Sequence, residues 1–156
     1  MFSILLFICA INDSSQPVII YVVRHAEKQA DQADPDLSEK GHERIRKLNR
    51  LLREIELDGV ISSQFLRTRR TAEPIASMHQ LPVEIIAAED QAKLVDRLES
   101  PGKTLLVVGH SNTIPQIIQA LGCSCSPIDD QDYDNLFVLI LTADTCRSQK
   151  LRFYVD

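Results

Sequence analysis

The sequence predicts an α/β protein, a three-layer α/β/α sandwich on a mostly parallel, mixed sheet. Three observations carry this expectation. Apolar runs alternate along the chain with amphipathic stretches of helical period. Residues 18–23 and 103–108 are nearly free of charge and rich in β-branched residues, as strands buried on both faces of a parallel sheet are. The last two apolar segments, 136–141 and 150–155, flank Ala143-Asp144 as a hairpin would, and antiparallel strands there make the sheet mixed.

The 156 residues suit one domain, expected over 17–156. Hydrophobic residues are 44% and charged residues 25%, an ordinary globular balance. A net charge of -5 argues against a nucleic-acid partner, so an anionic ligand would need a local basic pocket. Residues 1–11 are apolar but too few to span a bilayer as a helix, and no stable membrane span is expected. Residues 1–16 read as a signal peptide without a positive n-region, or else as an extra strand or a different start. Cleavage would mean a periplasmic or secreted protein, and retention a cytoplasmic one. Phe7 and Ile8 are too large before Cys9 for a lipoprotein acylation box.

The first strand ends directly in Arg24-His25. A polar, acidic loop over 28–36 follows, placed to fold over the strand's end. Ser38 offers an N-cap with Glu39 in the first turn. Ile45, Leu48, Leu52 and Ile55 then mark an amphipathic helix. Residues 57–62 make a short second strand. A basic helix carrying Arg67 comes next, with Ser62 or Ser63 as cap, and Pro74 is expected to kink or end it. Residues 82–87 form a third strand, and 90–98 a short helix with Leu94, Val95 and Leu98 inward.

The fourth strand, 103–108, leads into Gly109-His110-Ser111-Asn112-Thr113. The helix after it takes Asn112 or Thr113 as cap, holds Pro115 in its first turn and places Gly122 at C′. An acidic loop, 123–134, connects to the final strands. Cys123 and Cys125 are too close for a relaxed bridge, so Cys146 is expected to pair with one of them. No CxxC or HxxxH motif is present, and neither a metal nor a cofactor is expected.

Two strands thus end in histidine, and a third feeds a helix with an arginine. If these strands are parallel neighbours, their carboxyl ends bring Arg24, His25, Arg67 and His110 into one crevice. Arginine offers phosphate a planar fork of donors, and neutral histidine offers a lone pair. The helix after His110 adds free N–H groups. The set fits a phosphoryl group. His42 and His79 stand away from strand ends and read as structural or exposed. Arg69 and Arg70 read as outer-face residues.

At Arg24-His25-Ala26-Glu27, Ser63-Gln64-Phe65-Leu66-Arg67-Thr68-Arg69-Arg70-Thr71-Ala72 and Gly109-His110-Ser111-Asn112-Thr113 the chain resembles the histidine phosphatase, or phosphoglycerate mutase-like, superfamily. The resemblance runs from about Val18 to the end, with the three motifs in order. It implies a phosphoglycerate mutase-like fold and a small, metal-independent phosphatase. His25 would attack phosphorus and form a phosphohistidine that water hydrolyses. Arg24, Arg67 and His110 would bind and stabilise the transferring group, His110 best as a cation, with Ser111 and Asn112 beside them.

For the proton donor, Glu89 is the first choice, with Asp90, Glu27, Asp132 and Asp134 as further candidates. The substrate is expected to be a small phosphorylated molecule or a phosphoprotein. The compact core resembles phosphohistidine-protein phosphatases, and the third motif resembles bacterial envelope members of the family. The alternatives are a non-catalytic phospholigand-binding module and a mutase-type phosphotransferase.

Overall fold

The structure is a computed structural model and describes residues 16–30 and 33–155. The N-terminal apolar segment and Cys9 lie outside the described residues. Ten elements alternate as expected: β1 (Val18–Arg24), α1 (Glu39–Leu52), β2 (Gly59–Ser62), α2 (Leu66–Met78), β3 (Val83–Ile85), α3 (Gln91–Leu98), β4 (Thr104–Gly109), α4 (Thr113–Ala120), β5 (Asn135–Leu141) and β6 (Cys146–Arg152).

The strands form one sheet in the order β3-β2-β4-β1-β5-β6. The β3–β2, β2–β4 and β4–β1 pairs are parallel. β5 is antiparallel to β1, and β6 to β5. The period-two alternation of the strands divides the core in two. Ile20, Val22, Leu105 and Val107 face Leu94, Leu98, Ile114 and Ile118 of α3 and α4. Val23, Val60, Leu106 and Val108 face Leu48, Leu52, Ala72 and Ile75 of α1 and α2. The sheet is therefore the middle of three layers. Among the described residues no helix is long and apolar enough to cross a membrane.

Several local expectations meet a physical correction. Ser38 caps α1, accepting from Gly41 N at 3.2 Å, but the helix closes at Leu52 and Ile55 lies in the turn beyond. α2 takes its cap from neither Ser62 nor Ser63. Phe65 stands at the cap without a side-chain bond, and Asp34 of the preceding loop accepts from Leu66 N at 3.0 and 3.1 Å. Ser63 instead bonds the Thr68 hydroxyl at 2.7 Å. Pro74 does not end α2, which runs on to Met78. At the end of α4, Gly122 has φ +79, with Gly122 N bonded to Gln119 O and Cys123 N to Ile118 O. This is the paired closure that a left-handed glycine permits. Cys123 is bridged to Cys146, tying the start of the acidic loop to β6, while Cys125 is free.

Glu27 organises the docking of α1. Its backbone oxygen accepts from Ser38 N at 2.8 Å and Ser38 Oγ at 3.2 Å. Arg44 Nε reaches its carboxylate at 2.8 Å, and Arg44 Nη1 bonds the Phe153 carbonyl at 3.1 Å. Burial pushes the Glu27 pKa up, but the Arg44 hydrogen bonds, a bond from its own backbone N–H and the charges of Arg44 and Lys40 together outweigh it and hold the group below the usual carboxylate range. Gly41 packs so closely that an added Cβ would run into the Glu27 carbonyl oxygen. Gly41→Ala should therefore destabilise the fold by about 1–3 kcal/mol in urea unfolding, although alanine is the better helix former by about 1 kcal/mol.

Candidate active site

The pairing of β1 with β4 builds the site. Arg24 lies opposite Gly109 in parallel register, and His25 N donates to Gly109 O at 2.9 Å. The next residues, His25 and His110, emerge side by side with ring centroids 5.5 Å apart. β2 is the other neighbour of β4, so the start of α2 delivers Arg67 to the same end of the sheet. Arg24, His25, Arg67, His110, Ser111 and Asn112 all line one open crevice of about 370 Å³. Lys28, Asp130, Gln131 and Tyr133 complete its wall.

The segment that carries His25 is held from two helices. Ala26 N donates to Thr71 Oγ1 at 3.0 Å, and that hydroxyl donates to the Arg67 carbonyl at 2.8 Å. Glu27 is clasped by α1. His25 itself is 3% exposed. Its Nδ1 lies 2.7 Å from the Ala26 carbonyl oxygen, an acceptor, so Nδ1 carries the proton and Nε2 the lone pair. Burial lowers the His25 pKa to about 3, with Arg24, His110 and Arg67 pushing the same way against the Ala26 bond. The ring is neutral at physiological pH.

Arg24 donates through Nη1 to the carbonyls of Asp129, Asp130 and Asp132 at 3.2, 2.8 and 3.3 Å. Its guanidinium sits 4.0 Å from the centroid of the Tyr133 ring. Arg67 lies 4.6 Å over the Phe65 ring and 3.6 Å from Asp34 Oδ1. Burial lowers the Arg67 pKa, and Asp34 opposes the shift. The cationic His110 expected for the transfer is not its state in the free site. Burial first, then Arg67 and Arg24, lower its pKa to about 4, and it is neutral near pH 7. Arg24 Nε, Arg67 Nε and His110 Nε2 are buried with no hydrogen-bond partner among the described residues. These are the nitrogens an incoming oxyanion would satisfy.

None of the expected carboxylates lines the crevice. Glu89 stands after β3 and accepts from Gln64 Nε2 at 3.0 Å. Asp90 caps α3 through Lys93 N. Asp132 and Asp134 pair with Arg152 at 3.2 and 3.3 Å. Asp130 does line it, and accepts from Ser111 Oγ at 2.7 Å. Lys28, Asp130, Gln131 and Tyr133 carry no periodic signal in the sequence, since they belong to irregular loops; only the loops' position beside the strand ends marked them. His42 is exposed, His79 is half-buried, and Arg69 and Arg70 are exposed and paired with Glu73. Among the described residues no group of three or more His, Cys, Asp or Glu converges as a metal site.

The two depressed histidines link stability to pH. The usual value is 6.5, so below it the unfolded chain binds protons that the folded chain refuses. Their contribution is complete above pH 6.5 and is lost as pH falls toward 4 and then 3. Urea unfolding should show stability falling from pH 7 to 5, with a slope approaching two protons. His110→Asn should remove one of them.

The sequence profile of the histidine phosphatase superfamily (branch 1) matches residues 20–89. No curated protein sequence matches the chain. Many solved structures share its fold, three of them as follows. The protein histidine phosphatase SixA, complexed with tungstate, superposes with a TM-score of 0.72 at 18% identity, covering 86% of this chain and 96% of its own. The alpha-ribazole phosphatase of Shigella flexneri gives 0.70 at 17% identity, with coverages of 86% and 96%. The phosphoglycerate mutase of Bacillus anthracis gives 0.69 at 15% identity, with coverages of 89% and 94%. The profile runs from within β1 through β3, with Arg24, His25 and Arg67 among the matched residues, and the fold of the whole described chain is similar to that of these phosphatases and of the mutase.

Proposed function

We propose that the chain is a phosphatase that hydrolyses a phosphomonoester or a phosphohistidine through a phosphoryl group carried on His25. One observation carries this reading. A neutral histidine with its tautomer fixed stands in a crevice with three buried, unpartnered nitrogens, Arg24 Nε, Arg67 Nε and His110 Nε2. Such a set lacks only an anion with an electrophilic centre.

His25 Nε2 attacks phosphorus, and the bond from phosphorus to the leaving atom breaks as the N–P bond forms. Arg24, Arg67 and His110 donate to the equatorial oxygens, where charge is spread in the transfer. Water then attacks phosphorus, the N–P bond breaks, and its electron pair returns to Nε2. Ser111 and Asn112, at the entry to α4, face what lies beyond the phosphoryl group. Glu89 fits the donor role only after releasing Gln64 and turning toward the crevice. Its place on the β3–α3 loop supports a role at the mouth rather than at the phosphoryl centre.

His110 is neutral in the free site, but a bound oxyanion favours its charged form. Tungstate binding at pH 7 should therefore take up to about one proton, read from the buffer dependence of the heat of binding. His110→Asn should bind more weakly and lose that uptake.

The reading is tested by acid–base quench. Wild type with an aryl phosphate and EDTA should release phosphate and trap an acid-labile, base-stable adduct. His25→Ala should form none and lose at least about a thousandfold in rate. Phosphate binding by wild type, without adduct or turnover across a substrate panel, would make the chain a phospholigand-binding module instead.

A further inference from the structure

We infer that Asp130 is the acid–base residue of this site, serving the leaving group in the first transfer and the attacking water in the second. The inference rests on the phosphatase reading above. Of the described residues that line the crevice with His25, Asp130 is the one that carries a carboxylate. It comes from the loop between α4 and β5, outside the three motifs quoted from the sequence.

Two contacts hold Asp130 at the reacting end. Ser111 Oγ donates to its Oδ1 at 2.7 Å, so the carboxylate is bound to the residue that follows His110. Arg24 Nη1 bonds its backbone oxygen at 2.8 Å, and Nη2 lies 3.9 Å from Oδ1. The carboxylate thus stands beside the guanidinium that would grip the phosphoryl group. Its side chain is 84% exposed, which leaves room for the water that the second step consumes. The rival carboxylates are engaged elsewhere, by Arg44, Gln64, the N-terminus of α3 and Arg152.

The proton balance closes over one cycle. In the first half the N–P bond forms, the P–O bond breaks, and the Asp130 carboxyl proton moves to the leaving oxygen. In the second half the ionised Asp130 takes a proton from water as the water oxygen bonds phosphorus. The N–P bond breaks with its pair returning to His25 Nε2. Phosphate departs and Asp130 is protonated again.

The experiment compares wild type, Asp130→Asn, Glu89→Gln and Asp132→Asn on phosphomonoesters whose leaving groups run from p-nitrophenolate to a simple alkoxide. Asp130→Asn is expected to lose about 100- to 1,000-fold in kcat on the alkyl phosphate, but under about tenfold in the first transfer from p-nitrophenyl phosphate. The dependence on leaving-group basicity should steepen. With p-nitrophenyl phosphate the variant should also accumulate the phosphohistidine adduct. A purely structural role would slow all substrates alike and move neither readout. Asp132→Asn, which removes one of the same loop's two ion pairs with Arg152, should leave the dependence as in wild type.

An unchanged slope in Asp130→Asn, or a steepened one in Glu89→Gln instead, overturns the assignment. If wild type itself forms no adduct on His25, the phosphatase reading fails first and this one falls with it. A normal wild-type adduct with an unaltered Asp130→Asn slope sinks Asp130 alone.

Discussion

The site depends on one constraint, the parallel register of β1 against β4. Setting Arg24 opposite Gly109 places the two histidines at the same height on adjacent strands, and the bond from His25 N to Gly109 O extends the ladder past the end of β1. A slip of one residue would turn every side chain of β1 to the other face. Ile20 and Val22 would leave the α3–α4 core, and Val23 the α1–α2 core. The hydrophobic pattern that forbids the slip is therefore also what aims His25. The geometry of the crevice thus comes from the burial of residues that do not line it.

The rest of the fold stiffens what the register sets. Ala26 is hung from Thr71 of α2 and Glu27 is clasped by Arg44 of α1, so both helices of one layer hold the short segment after His25. That rigidity is needed because the pocket is electrostatically unfavourable when free. Two guanidiniums and two desolvated rings share it, and three buried nitrogens, two of them guanidinium donors, go without partners among the described residues. An unmet buried donor costs about 1–3 kcal/mol. A flexible pocket would relax by turning these groups to water. A clamped one keeps them in place, and under the proposed function that is preorganisation for an anion in its ordinary electrostatic sense.

The frame of the fold was legible because the layers are written in apolar periodicity. Unbroken runs marked β1 and β4, steps of three and four marked α1, and Gly122 marked the end of α4. The basic half of the site was legible for a related reason, since Arg24, His25 and His110 follow strand ends directly. What escaped were contacts between segments distant in sequence. Asp34 caps α2 across 32 residues, and no local pattern reports such a bond. Pro74 is tolerated inside α2, whose face carries Thr71, Ala72 and Ile75 into the core, so tertiary packing overrides propensity there. Asp130 and Tyr133 lie in a loop without periodicity, and only folding reveals which side they face.

The way Arg24 holds that loop has an evolutionary consequence. The hydrogen bonds of the guanidinium to that loop go to main-chain carbonyl oxygens, at Asp129, Asp130 and Asp132, beside a longer contact with the Asp130 carboxylate and the stacking on Tyr133. Every residue type supplies a carbonyl, so sequence drift in this stretch leaves the grip intact. The hydrogen bonds at the Arg24 end of the crevice are thereby less sensitive to side-chain changes in the loop that forms its outer wall. Exchange of exposed side chains such as Gln131 can therefore change what the mouth of the crevice presents while the hydrogen bonds that tie the loop to Arg24 persist.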